Sequence, residues 1–123
     1  MKDRITGTHI IVDLCKIDFS TCLAGDIWLT AFGRASRALG LNSITSYVHT
    51  FKPPQEPGIT AYLLLDASHF SVHTYANRGL AALDLFACKV KSLDSTLQLI
   101  LREVGISDKS IVKKRTIMRF LRM

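Results

Sequence analysis

The sequence predicts an α+β fold, a two-layer sandwich in which an antiparallel sheet packs on helices. Strand-like segments come in runs rather than singly between helices, only two stretches keep a helical period, and turn residues punctuate the strands. A regular alternation of helix and strand, the mark of a parallel sheet, is missing. At 123 residues there is room for one domain, 1–123, and not for two independent cores. Hydrophobic residues make up 48% and charged residues 21%, a balance that belongs to a folded chain rather than a disordered one.

The elements follow in order. Thr8 to Leu14 (THIIVDL) is short, apolar and β-branched, a strand signal. Asp26 is placed to cap a helix over Ile27 to Leu39, where Ile27, Ala31, Arg34, Ala35, Ala38 and Leu39 keep a helical period and Gly40 stands at the C-terminal cap. Ser43 to Phe51 reads as a second strand, and Lys52 to Gly58, with all three prolines, as a loop. Ile59 to Asp66 is a third strand, with Ile59, Ala61, Leu63 and Leu65 on one side. After a break at Ala67–Ser68, His69 to Tyr75 forms a fourth. Alternation there sets His69, Ser71, His73 and Tyr75 on one face and Phe70, Val72 and Thr74 on the other. Asn77, Arg78 and Gly79 signal a turn, and Ala81 to Cys88 a fifth strand with Ala82, Asp84, Phe86 and Cys88 on one face. Leu93 to Val104 is an amphipathic helix closed by Gly105, and Ser110 to Leu121 a closing edge strand whose Lys and Arg residues discourage edge-to-edge pairing.

Composition narrows the function classes. The net charge of +6 is concentrated: from Ser107 onward six cations face Asp108 alone, a local balance of +5, and the rest of the chain is nearly neutral at +1. A basic tail with Phe120 as its one aromatic is a solvated edge strand before it is a nucleic-acid surface. The three cysteines, Cys15, Cys22 and Cys88, are too few and too widely spaced for a disulfide framework or a zinc knuckle, and no metal site is expected. With no signal-like or membrane-spanning stretch, the expected location is the cytoplasm.

The fourth strand concentrates the chemistry: two histidines and two hydroxyls on one face, with Ser68 at its mouth. A polar, solvent-facing strand explains a single histidine as well. Ser68 with His73 also suits a serine hydrolase, but there is no Gly-x-Ser-x-Gly elbow, and Asp66 and Asp84 have no diagnostic spacing.

The stretch ASHFSVHTYANRGLAALDLFACK, Ala67 to Lys89, resembles the signature segment of prokaryotic S-adenosylmethionine decarboxylase proenzymes. The matching residues are Ser68–His69, His73–Thr74, Tyr75, Ala81–Ala82, Asp84, Phe86 and Cys88, at the family's spacing. Weaker echoes are Gly7, His9 and Asp13 near the start, His49-Thr-Phe51 with Pro53, Pro54 and Gln55, and Thr60 eight positions before Ser68.

The resemblance implies self-cleavage between Ala67 and Ser68, in which the Ser68 hydroxyl attacks the carbonyl of Ala67. His73 matches the processing base, and Thr60 a hydroxyl that could hold the developing oxyanion. Elimination leaves fragments 1–67 and 68–123, the second beginning with a pyruvoyl group made from Ser68. That ketone condenses with a substrate amine as a Schiff base and takes up electrons as carbon dioxide leaves, the role pyridoxal phosphate has elsewhere. Cys88 matches the proton donor, a task open to a thiol because thiols ordinarily stay protonated at neutral pH. His69 and Tyr75 are candidates for substrate binding, and the implied assembly is a homodimer with sites near its interface. The product would feed spermidine and other polyamine biosynthesis.

Three positions depart from the family pattern. Ala67 replaces a glutamate before the cleaved serine, Tyr75-Ala-Asn77 replaces tryptophan–proline–glutamate, and Lys89 replaces a glycine after the cysteine. The self-cleavage residues are kept and an acid that helps bind substrate is lost. S-adenosylmethionine ranks first as substrate, beside a pyruvoyl-dependent arginine or ornithine decarboxylase and a non-catalytic regulatory homologue.

Overall fold

The computed structural model describes residues 4–122. The elements are β1 (Arg4–Leu14), a one-turn helix α1 (Phe19–Cys22), α2 (Gly25–Ala38), β2 (Ser43–Phe51), β3 (Gly58–Leu65), β4 (Ser68–Tyr75), β5 (Leu80–Cys88), α3 (Asp94–Val104), a short 3₁₀ turn (Asp108–Ser110) and β6 (Ile111–Arg122). The six strands form one sheet in the order β2-β3-β4-β5-β1-β6, with every neighbouring pair antiparallel. β2 to β5 are thus a meander, and β1 is inserted between β5 and β6. This is the two-layer α+β sandwich that the strand runs predict.

Alternation decides which layer each residue joins. Ile59, Ala61, Leu63 and Leu65 of β3, Phe70 and Val72 of β4, and Leu83 and Leu85 of β5 are buried under the helices. Their neighbours in sequence point to the opposite face, which no helix covers. α2 packs on β2, β3 and α3, while α3 adds Leu97, Ile100, Leu101 and Val104 to the same core. Arg34 and Glu103 pair across the two helices. At the end of α3, Gly105 takes a left-handed φ of 85°, and its N–H closes on the Leu101 carbonyl at 2.9 Å.

The start and the buried stripe of α2 correct the sequence reading. Ala24 is the N-cap, no side chain caps the helix, and Asp26 lies within its first turn. The buried stripe runs Trp28, Ala31, Phe32, Ala35, while Ile27 is 46% exposed. The stripe is rotated by one residue because two aromatics anchor it. The Phe32 ring meets Trp28 and Phe70 edge-on, at 6.3 and 5.9 Å between centroids. The helix α1 and the first four residues of β1 also lie outside the elements the sequence predicts.

β3 and β4 are joined by a tight turn at Asp66 and Ala67, so that Leu65 pairs with Ser68. Asp66 is therefore a turn residue rather than the end of a strand, and its carboxylate accepts a hydrogen bond from the Asn42 amide at 3.0 Å. Ala67 has a φ of 50°, a left-handed conformation unfavourable for a residue with a Cβ. At the other end of β3 only glycine fits: a Cβ on Gly58 would lie 2.1 Å from the Thr74 carbonyl oxygen.

Candidate active site

Register turns the chemically interesting residues into rows across the uncovered face. One row runs His49, Thr60, His73, Ala82, Asp13 and Lys113 across all six strands. A second runs Leu64, His69, Phe86, His9 and Ile117. Gly7, opposite Cys88 and Arg119, lies in a third. The three early residues that the sequence singles out, Gly7, His9 and Asp13, thus reach the chemistry-bearing strands because β1 lies beside β5.

Thr60 and His73 are opposite each other on β3 and β4, with Thr60 Oγ1 2.8 Å from His73 Nδ1. The hydroxyl fixes the ring and is itself polarised, while Nε2 is left for another group. Ser68 is elsewhere. It is buried, 3% exposed, and its Oγ accepts a hydrogen bond from the backbone N–H of Cys88 at 3.0 Å. That bond draws the first residue of β4 to the last residue of β5, next to the left-handed residues Ala67 and Lys89.

Ser68 is not at the mouth of the histidine face. It shares the helix-covered face with Phe70, Val72 and Thr74, whereas His69, Ser71, His73 and Tyr75 point the other way. An odd offset of five residues on a regular strand sets Ser68 and His73 on opposite faces, about 16 Å apart along the chain at ~3.3 Å per residue. Within one protomer the structure brings together Thr60 with His73, and Ser68 with Cys88, but not the first pair with the second.

Between these two groups lies a set of ionisable side chains packed on Phe86. His9 meets that ring edge-on at 6.1 Å, and His69 lies tilted against it at 5.7 Å. The Arg119 guanidinium lies 5.5 Å from its centre. His9 Nε2 is buried without a hydrogen-bond partner among the described residues and stands 3.8 Å from Asp84 Oδ2, beyond hydrogen-bond reach. Burial against this cluster pushes the His69 pKa below its ordinary value; the nearby His9 adds to the effect and Asp84 opposes it.

Thr60 and His73 open onto a pocket of about 290 Å³ between the β2–β3 loop and the end of β4, whose walls include Phe51, Glu56, Tyr75 and Arg78. Arg78 donates through Nε and Nη2 to the two Glu56 oxygens, at 3.2 and 2.7 Å, and lies 5.2 Å from the centre of the Tyr75 ring. The hydrogen bonds that Glu56 accepts, and its charge, also raise the Arg78 pKa. Thr74, between His73 and Tyr75, faces inward. Its hydroxyl donates to the Cys22 carbonyl at 2.6 Å and accepts from the Ile59 N–H at 2.9 Å. Sequence reasoning missed Glu56 and gave Arg78 only a turn role. They come from two loops, a context in which no periodicity could have linked them.

A family model described as S-adenosylmethionine decarboxylase matches residues 8–116. The chain belongs to the S-adenosylmethionine decarboxylase family. Among relatives named S-adenosylmethionine decarboxylase proenzyme, that of Prochlorococcus marinus (strain MIT 9211) is 33% identical over 100 residues, covering 80% of this chain and 79% of the relative. That of Sulfurihydrogenibium sp. (strain YO3AOP1) is 31% identical over 86 residues, covering 70% of this chain and 62% of the relative. The match thus spans somewhat less than two-thirds of the latter protein. The crystal structure of the adenosylmethionine decarboxylase from Aquifex aeolicus VF5 has the same fold, with a TM-score of 0.70 and 25% identity over 92% of this chain and 88% of that one. Among the described residues no helix is long and apolar enough to cross a membrane.

Proposed function

We propose that the chain, one decarboxylase unit over 1–123, cleaves itself between Ala67 and Ser68 and then decarboxylates S-adenosylmethionine for polyamine biosynthesis, as a cytoplasmic homodimer of cleaved chains. The observation that carries this reading is the Ser68–Cys88 junction. There a buried serine follows directly on a left-handed alanine, and its hydroxyl is held by the backbone N–H of the cysteine that the family resemblance marks as proton donor.

In this reading the Ser68 Oγ attacks the Ala67 carbonyl carbon, the peptide C–N bond breaks and an ester forms. Loss of the Cα proton of residue 68 expels Ala67 as a free carboxylate, and hydrolysis of what remains releases ammonia and leaves a ketone at position 68. The positive φ at Ala67 raises the energy of the peptide that is lost. The Cys88 N–H orients Oγ, so a backbone group positions the nucleophile while the Cys88 thiol stays available to return a proton. The residues fit a pyruvoyl group at position 68, which supplies the electron sink for decarboxylation. The site would be screened from water by the packing that already buries Ser68.

His73 acts as processing base and Thr60 as its partner hydroxyl, but neither reaches Ser68 of the same chain. We therefore assign them to the Ser68 of a second copy. The uncovered sheet face supports this assembly, since Ile5, Tyr47, Tyr62, Leu64 and Ile117 lie exposed on it around the histidines.

Intact mass measurement tests the reading. The purified protein should appear as fragments 1–67 and 68–123, and Ser68→Ala as one chain. Neither Ser68→Ala nor His73→Ala should cleave efficiently alone. When the two are co-expressed, the His73→Ala chain should be cut, because its intact serine then meets an intact partner histidine. If that chain stays whole, the shared site is wrong. Carbon dioxide release from S-adenosylmethionine, arginine and ornithine by the processed protein decides the substrate.

A further inference from the structure

Arg119 takes part in none of the chemistry assigned above. It lies on β6 in the row of Gly7 and Cys88, across β1 from the cysteine, about 10 Å from it between backbones at ~4.8 Å per strand. Cys88 shares the half-open side of β5 with Phe86. The Arg119 guanidinium lies 5.5 Å from the centre of the Phe86 ring, so both side chains belong to the uncovered face. Gly7 stands between them without a side chain. A Cβ there would fall 2.9 Å from Phe86 Cε1 and 3.1 Å from Cζ. Glycine thus leaves the gap into which the ring leans, and the ring supports the guanidinium.

That guanidinium is a charge without a counter-ion. The ion pairs among the described residues are His9–Asp84, Arg34–Glu103, Arg78–Glu56 and Lys114–Asp94, and none includes Arg119. In one protomer the residue is exposed and water serves it. In the proposed homodimer the same face meets a second copy, and an arginine enclosed there without an anion is strongly unfavourable. Every candidate substrate of the proposed reaction brings an anion to this place. Its α-carboxylate must lie near Cys88, because the thiol returns a proton to the carbon that carried it. The planar fork of an arginine matches the two oxygens of a carboxylate as the point charge of a lysine does not.

We propose that Arg119 is the specificity-determining residue for the α-carboxylate of the substrate, holding the group that leaves as carbon dioxide at the Cys88 end of the sheet. The inference rests on the decarboxylase reading but deepens it. A strand outside the self-cleavage segment then selects an amino acid over the corresponding amine, and the product, which lacks the group, is let go. The contact exists before the C–C bond breaks and is lost with the carbon dioxide, so its removal falls on KM more than on kcat.

The test is calorimetric titration of the Ser68→Ala protein, which forms no Schiff base, with S-adenosylmethionine, arginine and ornithine, each beside its methyl ester. The acid that binds should do so about ten- to a hundred-fold more tightly than its ester, the range expected for hydrogen bonds between charged groups. Arg119→Met, added to that background, should abolish the preference while leaving the ester's affinity within about twofold. Arg119→Lys, which keeps the charge but not the fork, should fall between, and ethylguanidinium added to an Arg119→Ala protein should restore part of the preference. In the processed enzyme Arg119→Met should raise KM by about ten-fold or more, with a smaller change in kcat. Circular dichroism confirms that each variant is folded. Acid and ester bound equally, a preference that survives Arg119→Met, or no binding of any acid would each overturn the proposal. If the preference survives while sedimentation shows a weakened dimer, Arg119 pairs with an acid of the second copy instead. Binding is read without cleavage, so a protein that shows the preference but neither cleaves nor decarboxylates sinks the decarboxylase reading alone. A preference seen with arginine or ornithine in place of S-adenosylmethionine sinks only that reading's substrate.

Discussion

Replacing Thr74 by valine tests how the histidine strand is anchored. The change keeps the shape of the side chain and deletes one hydroxyl, which is buried and makes two hydrogen bonds, to the Cys22 carbonyl at 2.6 Å and from the Ile59 N–H at 2.9 Å. Valine satisfies neither, so a buried acceptor and a buried donor both lose a partner. At about 1–3 kcal/mol per unsatisfied buried group, the expected loss for the two groups is roughly 2–6 kcal/mol, a large share of the ~5–15 kcal/mol that stabilises a domain. For a chain of this length that lowers the melting temperature by roughly 8–24 °C. Urea titration at fixed protein concentration, in a Ser68→Ala background so that one uncut chain unfolds, gives the number directly. Thr74→Ser keeps both hydrogen bonds and loses only a methyl, costing about 1 kcal/mol. Should Thr74→Val prove as stable as Thr74→Ser, the hydroxyl does not tie β4 to β3 and α1, and the account of how His73 and Thr60 are held in place fails with it.

Cys88→Ala keeps the backbone N–H that holds Ser68, so the variant should still cleave by mass spectrometry while decarboxylating about 10²- to 10⁴-fold more slowly, the usual worth of a positioned acid. Gly58→Ala drives a Cβ to within 2.1 Å of the Thr74 carbonyl, and the strand shift it forces should cost about 1–3 kcal/mol in urea titration and slow self-cleavage. Because burial lowers the His69 pKa in the folded state, the unfolded chain takes up a proton first as pH falls. Stability should therefore drop as pH descends from about 6.5, the ordinary histidine value, toward the lower folded value, and His69→Gln should flatten that part of the profile in thermal melts.

Strands β3 to β5 were legible because one of their faces is buried, and burial imprints alternation on the sequence: Ile59, Ala61, Leu63 and Leu65 announce their side without help. The Leu97, Ile100, Leu101, Val104 stripe of α3 is equally plain. Failures arise where tertiary partners decide. α2 turned its aromatics inward because Phe70 stands below Phe32, a contact between residues 38 positions apart. The side of the sheet that Ser68 occupies follows from the turn falling at Asp66–Ala67 rather than at Ala67–Ser68, which makes Ser68 the first residue of β4, on the face of Phe70. Thr60 next to His73, and Gly7 next to Cys88, depend on register, to which strand composition is blind. Glu56 and Arg78 come from separate loops and meet only in the folded chain.

If the chain cuts itself after Ala67 as proposed, the strand order accounts for its remaining folded. The cut severs the turn between β3 and β4, leaving β1, α1, α2, β2 and β3 in one fragment and β4, β5, α3 and β6 in the other. In a sheet ordered as the chain runs, those fragments would share a single ladder. Here β1 belongs to the first fragment but lies between β5 and β6 of the second, hydrogen-bonded to both. Three ladders therefore cross the cut: β3 with β4, β1 with β5, and β1 with β6. The helices are divided likewise, α2 to one fragment and α3 to the other, and they pack against each other in one core. Neither fragment can leave without exposing its half of that core and three strand edges. The new terminus at residue 68 would thus be held where Ser68 is held, at the start of β4 beside the Cys88 N–H. Inserting β1 would let the backbone be spent as a reagent in the proposed reaction while the surrounding geometry stays fixed.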